Sequence, residues 1–395
     1  MPERNLDFDR IINRHGTDCL KYDYAVKRGK PADILPLWVA DMDFVTSSYI
    51  QDALRETADY GIWGYSQPVG GYMDVLRDWM KRRHNWDIEE KWIVMTPGVV
   101  FAIAMAIRAF TRPGDGVLIQ EPVYYPFASE IRENGRRVVI NELVYDRDSL
   151  TYHMDFGDFE KQITDNDVKL FILCNPHNPV GRVWTEGELR TVGEICRKHG
   201  VLVVSDEIHS DFIFEGEHRV FTGIDESFAD FTITCTAPSK TFNLAGLQLS
   251  NIVISNEDIR KRFKNEISAT GYDEPGLFGL RACEAAYAHG EEWLEALLKY
   301  LKANLDYMED YIRCEIPQIR MIRPQGTYLV WLDMKDLGLT PAELEDLIVN
   351  KAGLWLDRGS MFGSSGEGFE RVNVACPRAT LTEALDRLGR AVRGL

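Results

Sequence analysis

Lys240 lies in Thr236-Ala237-Pro238-Ser239-Lys240-Thr241-Phe242-Asn243, 34 residues after Asp206, which closes the apolar run Val201-Leu202-Val203-Val204-Ser205-Asp206. A lysine amine can capture an aldehyde as a Schiff base, and a carboxylate at a strand end can keep a heteroaromatic nitrogen protonated so that its ring accepts carbanion electrons. Most lysines are solvated surface groups, so the pair gains its meaning from its neighbours.

Four further groups stand at comparable places. Thr96-Pro97-Gly98-Val99-Val100 joins a strand to a helix, where free amides and the positive helix end would face an anion. Glu121-Pro122-Val123-Tyr124-Tyr125-Pro126 follows the next strand; Tyr124 there either stacks on a planar ring or packs in the core. Asn175-Pro176-His177-Asn178-Pro179-Val180-Gly181 is a rigid turn from which an asparagine can donate to a phenolate oxygen. His209 follows Asp206 by three residues. An aldehyde, a ring nitrogen, a ring oxygen and a phosphate are the features of pyridoxal 5'-phosphate. Close to a ring cation and phosphate-binding dipoles, the Lys240 amine is expected to have a lowered pKa, leaving it a neutral nucleophile and proton carrier.

These residues require an open, mostly parallel sheet whose carboxyl ends share one edge. Short apolar runs at 92–95, 116–120, 137–141, 169–173, 201–205, 231–236 and 251–254 read as its seven strands, with helices at 99–110, 125–134 and 185–199. The third helix opens on Thr185-Glu186-Gly187-Glu188, a capping sequence. After Glu274-Pro275-Gly276 the texture changes to helical periodicity through 281–313, followed by strand-like runs at 326–333 and 369–375. The division expected is a segment over 1–45 packing on a small domain, a large cofactor-binding domain over 46–285, and a small α+β domain over 286–395. Gly363-Ser364-Ser365-Gly366-Glu367-Gly368 reads as a mobile loop that lacks the spacing of a dinucleotide site. Cys376-Pro377-Arg378 follows the last strand; Arg378 either clamps a carboxylate or makes a solvent-facing ion pair. Gly61-Ile62-Trp63-Gly64-Tyr65-Ser66 reads, from its residues alone, as aromatic packing.

The rest of the composition narrows the class. At 395 residues and 45% hydrophobic, the chain can bury a large core. Neither a cationic apolar leader nor a long apolar run is evident, so a cytoplasmic location is expected and a membrane partner is not. Seven scattered cysteines and eight histidines without His-Glu-x-x-His spacing predict neither a disulfide frame nor a metal site. A net charge of -17 without a basic block argues against nucleic acid as a partner.

Taken in order, the motifs resemble the fold-type I pyridoxal phosphate enzymes of the class I and II aminotransferase superfamily over essentially the whole chain. Trp38-Val39-Ala40-Asp41-Met42-Asp43-Phe44, Gly64-Tyr65-Ser66, Ala245-Gly246-Leu247-Gln248 and Asn373-Val374-Ala375-Cys376-Pro377-Arg378 resemble the MalY/PatB group of cystathionine β-lyases. The resemblance implies that Lys240 is the Schiff-base lysine and Asp206 the partner of the pyridine nitrogen. It implies that Asn178 and His209 neighbour the ring oxygen, and that Tyr124 is the stacking ring. Gly98, Val99, Val100 and Ser239 would hold the phosphate, and Tyr65 would reach the phosphate of a partner subunit in a homodimer. Arg378 would bind the substrate carboxylate, with Asp43 and Trp63 in loops around the side-chain pocket. Typical aminotransferases carry an arginine where this chain has Gln248, and a tyrosine where it has His209. Both departures match the lyase group and imply β-elimination of L-cystathionine or related sulfur amino acids. An aminotransferase is the alternative, and a pyridoxal phosphate-binding regulator acting through partner contacts is another.

Overall fold

The seven apolar runs pair into one sheet in the computed structural model, which describes residues 2–69 and 71–395. In chain order they are β1 (Ile93–Thr96), β2 (Gly116–Glu121), β3 (Arg137–Glu142), β4 (Val168–Cys174), β5 (Leu202–Asp206), β6 (Thr232–Thr236) and β7 (Ser250–Val253). Across the sheet the order is β1-β7-β6-β5-β4-β2-β3. Strands β2 to β6 run parallel, and β7 is antiparallel to β6 and β1 on either side of it. The expected helices are α1 (Val99–Phe110), α2 (Pro126–Glu133) and α3 (Glu186–His199). At the head of α3, Thr185 and Glu188 exchange side-chain to backbone bonds as a capping box, satisfying amides that the first turn leaves unpaired.

Apolar residues occupy successive positions in β2 and β4 because helices cover both faces. On one face Val117, Ile119, Leu170, Ile172 and Val204 pack with Ala102, Ile103 and Ala106 of α1 and Phe127 of α2. On the other, Leu118, Phe171, Leu173 and Val203 pack with Phe159 and with Leu189 and Val192 of α3. Each large side chain so buried contributes about 1.5–3 kcal/mol. The sheet's position is therefore set from two sides, which holds its carboxyl edge still.

A second sheet, of order β8-β9-β11-β10, is antiparallel throughout: β8 (Arg320–Ile322), β9 (Leu329–Asp333), β10 (Asp357–Arg358) and β11 (Phe369–Asn373). The 25-residue helix Glu291–Glu315 lays Leu294, Leu297, Leu301, Leu305 and Met308 against it, a stripe at helical spacing. Leu35–Pro36 runs parallel to Leu354–Trp355, and Trp38 stacks on Trp355 with ring centroids 4.3 Å apart. Within the glycine-rich stretch 363–368 expected as a loop, Ser364–Gly366 forms a 3-10 turn; the 3-10 turn Gly359–Phe362 precedes it, and its Phe362 carbonyl accepts from the Val123 amide at 2.9 Å. Among the described residues no helix is long and apolar enough to cross a membrane.

Candidate active site

The carboxyl ends of β1, β4, β5 and β6 open on one edge of the larger sheet, where ligands of open α/β sheets bind. Because β7 runs the other way, its start reaches the same edge. Gly98, Val99, Val100, Tyr124, Asn178, Asp206, His209, Ser239, Lys240 and Gln248 all line one cavity of about 190 Å³ there. Nine of those ten are sequence candidates; the tenth, Gln248, is the residue that departs from the aminotransferase pattern.

Asp206 ends β5, and its carboxylate accepts from the Ile208 amide at 3.2 Å. Burial pushes its pKa up to about 7, a rise that the Ile208 bond and the Lys240 charge only partly offset. Lys240 lies in the one-turn helix Pro238–Thr241 just beyond β6, and its Nζ donates to the Ala40 carbonyl at 2.7 Å. Burial lowers the amine to about 8; Asp41 and Asp206 pull it upward and Arg371 pushes it further down. His209 is buried and held well below the ordinary histidine value, first by burial and then by the Lys240 and Arg371 charges. It is therefore a neutral ring at neutral pH.

The loop after β4 is braced from three sides. The His177 ring meets the Pro122 carbonyl at 2.9 Å, the Asn175 amide donates to the Asp206 carbonyl at 2.9 Å, and the Gly181 amide donates to the His177 carbonyl at 2.7 Å. Gly181 has φ +71°, and a Cβ there would lie 2.6 Å from Pro324, so glycine is required both by conformation and by space. Held in this way, Asn178 accepts from Arg371 Nη1 at 2.9 Å through Oδ1, which leaves its Nδ2 as a donor for the cavity.

Arg371 is the residue beside the cavity that motif reading missed. It sits mid-strand in β11, fully buried, with Nη2 on the Trp38 carbonyl at 3.2 Å and on Asp357, while Nε has no hydrogen-bond partner among the described residues. Its charge acts on Lys240, His209 and Tyr124. The signal was available: an arginine in the middle of the strand-like run 369–375 is costly to bury unless it has partners.

The structure does not bring Arg378 to the cavity. Its Nε donates to Asn304 Oδ1 at 2.8 Å and its guanidinium lies 4.6 Å from the Tyr307 ring centroid, because it opens the last helix rather than ending a strand. Asp43 also lies outside the cavity lining, bound to Arg14 and Lys21. Trp63 and Tyr65 are 61% and 96% exposed, so within one chain neither packs in a core nor meets the cavity.

The residues present fit pyridoxal phosphate. Among the described residues no cation is hydrogen-bonded to the buried acid Asp206, the place for a protonated ring nitrogen. Buried His209 Nδ1 has no partner among the described residues. The first turn of α1, entered from an extended Gly98, leaves its leading amides open, and Ser239 adds a hydroxyl for the same anion.

The aminotransferase class I and II family model matches residues 53–388. Cystathionine beta-lyase PatB of Bacillus subtilis is 42% identical over 388 residues, spanning 98% of this chain and 100% of the relative. Protein MalY of Escherichia coli is 33% identical over 99% of this chain and 100% of its own length. Cystalysin of Treponema denticola, a structure containing pyridoxal 5'-phosphate, superposes with a TM-score of 0.94 at 40% identity, covering 98% of this chain and 99% of that one. With the sheet order, the strand-end lysine and aspartate and these matches in agreement, the chain belongs to the class I and II aminotransferase family of pyridoxal phosphate-dependent enzymes.

Proposed function

We propose that the enzyme cleaves the Cβ–S bond of sulfur amino acids by β-elimination, converting L-cystathionine and water to homocysteine, pyruvate and ammonia, and L-cysteine and water to sulfide, pyruvate and ammonia. The observation that carries this reading is the 42% identity to a cystathionine beta-lyase across 98% of the chain. Gln248 in the cavity lining, where typical aminotransferases have an arginine, supports it.

Bound pyridoxal phosphate supplies an aldehyde for the substrate amine and a protonated ring that withdraws electrons from Cα. Asp206 keeps the ring nitrogen protonated by opposing its charge. Asn178 Nδ2 and His209 would serve the ring oxygen, and the Tyr124 ring would pack against the cofactor. The amides of Gly98, Val99 and Val100 and the Ser239 hydroxyl hold the phosphate. Arg371, in place of Arg378, takes the substrate α-carboxylate with the guanidinium that also grips Asn178 in the cavity wall. Lys240, with its amine lowered to about 8, is partly neutral near neutral pH and removes the Cα proton before the thiolate departs.

Tyr60, Ile62, Trp63, Tyr65 and Val69 form an exposed apolar ridge. A second copy of the chain covers it and brings Tyr65 to the neighbouring phosphate, making a cytoplasmic homodimer with shared sites. Incubation with L-cystathionine in the absence of any keto acid tests the reaction: equal release of pyruvate and free thiol is expected. Turnover that appears only with 2-oxoglutarate, without pyruvate, overturns it in favour of amino transfer.

A further inference from the structure

The segment Trp38-Val39-Ala40-Asp41-Met42-Asp43 crosses the site without regular secondary structure, yet each carbonyl from 38 to 42 accepts from a side chain. Arg371 Nη2 donates to Trp38 at 3.2 Å, Asn373 Nδ2 to Val39 at 2.8 Å and to Asp41 at 2.6 Å, and Asn243 Nδ2 to Met42 at 2.9 Å. Ala40 receives two donors, Lys240 Nζ at 2.7 Å and the Tyr328 hydroxyl at 3.0 Å. Buried backbone acceptors need partners, and here the two sheets supply them jointly. The segment is thus a strap tying both sheets to the reactive amine.

What holds the strap's far side is a group of four charges. Arg14 grips Asp41 at 2.6 Å and Asp43 at 2.7 Å; Lys21, only 1% exposed, meets Asp43 at 3.0 Å, and the Tyr22 hydroxyl donates to the same carboxylate at 3.1 Å. The two cations come from one small folded unit. Asp23 accepts from the amides of Gly16, Thr17 and Cys19 at 2.9, 3.1 and 3.0 Å, closing the chain between Arg14 and Lys21. Two cations balance two carboxylates, and removing either cation leaves a carboxylate buried without full compensation.

We propose that Arg14 and Lys21 are positioning residues for Lys240: by clamping Asp41 and Asp43 they fix the strap so that the Ala40 carbonyl faces the lysine amine. The charged and titratable groups acting on that amine are Asp41, Arg371 and Asp206, with His209 beside it. Arg14 and Lys21 neutralise the first of these. The inference rests on Lys240 being the reactive amine and is independent of which group leaves from Cβ.

The test uses the full chain as Arg14→Gln, Lys21→Met and Arg14→Lys, each compared with wild type. In the cofactor-free protein, competitive acetylation of Lys240 across pH, read by peptide mass spectrometry, gives the amine's titration, and hydrogen exchange reports the amides of 39–43. The expected result for Arg14→Gln and Lys21→Met is a Lys240 titration raised by about one pH unit, a tenfold change in protonation equilibrium, with exchange at 39–43 faster by about tenfold or more. In the loaded enzyme, pyruvate release falls by about 10- to 100-fold, and Arg14→Lys recovers part of each change. If Lys21→Met does not fold, Arg14→Gln decides the matter, since Arg14 is partly exposed. A folded Arg14→Gln protein with wild-type Lys240 titration and wild-type exchange overturns the proposal. That outcome leaves the lyase reading standing, because products are assayed separately.

Discussion

Arg371 Nη1 reaches Asn178 Oδ1 at 2.9 Å across 193 residues of chain, joining the smaller sheet to the loop that follows β4. The contact orients the asparagine amide and holds the guanidinium next to Lys240 at once. Whatever moves the two sheets relative to each other therefore moves Asn178 and Arg371 together. Asp357 is the acid that makes burial of this arginine tolerable, and it too lies in the smaller sheet.

Arginine substitutions separate the two candidate carboxylate receptors. Arg371→Lys keeps a charge but loses the planar fork, and kcat/KM for β-elimination is expected to drop by about 100-fold. Arg371→Leu leaves Asp357 buried and unpaired, at a cost of about 3–5 kcal/mol in urea unfolding. Arg378→Gln is expected to change kcat/KM only by about two- to threefold, since its partners are Asn304 and Tyr307. A large loss in Arg378→Gln with Arg371→Lys unaffected contradicts this assignment.

For Lys240 the expected loss in Lys240→Ala is about 10³-fold or more in pyruvate release. In the wild type the rate should climb as pH rises through the amine's value of about 8, because only the neutral form accepts a proton. The stability of the cofactor-free protein follows the same group. Its folded pKa lies below the ordinary 10.5, so between about 8 and 10.5 the unfolded chain binds more protons and stability rises with pH. Lys240→Met is accordingly more stable than wild type at pH 7, with the gap closing above about pH 10.5, as urea titrations at several pH values can establish.

Asp206 has the opposite sign of dependence. Its folded pKa, about 7, is above the ordinary 3.8, so cofactor-free stability falls as pH rises across that window. Asp206→Asn removes the fall and stabilises the cofactor-free protein above pH 7. It also removes the charge that opposes a ring cation, and a loss of about 100-fold or more in turnover is expected. Matched unfolding curves for the two cofactor-free proteins at pH 8 would falsify the buried-acid account.

Tyr65→Phe tests the shared site. A lost hydrogen bond to a charged phosphate weakens cofactor affinity by about 10-fold or more, measured by fluorescence titration, with oligomeric mass unchanged by light scattering. Unchanged affinity, or a monomeric wild type, contradicts the assembly proposed.

The seven strands and most of the residues that line the cavity were legible in the sequence because they depend on local chain order. Gly98, Tyr124, Asn178, Asp206, Ser239 and Lys240 each lie at or within a few residues of a strand end, and strand ends of a parallel sheet share an edge whatever else the chain does. Apolar runs without alternation likewise announced burial on both faces. Gln248 was visible as a departure, and its place in the cavity follows from the reversal of β7 alone.

Arg371, Asp43 and Arg378 depended on how the two sheets pack. Motif spacing placed an arginine near the end of β11 but could not say that Arg371, seven residues before Arg378, faces the larger sheet. Nor could it give Asp43 its partners, since Arg14 and Lys21 reach it only after the irregular N-terminal chain has folded back on itself. The chemistry of the strand ends is written in adjacent residues. The groups that tune it come from segments as much as 193 to 333 residues away, where only tertiary packing chooses which side chain meets which.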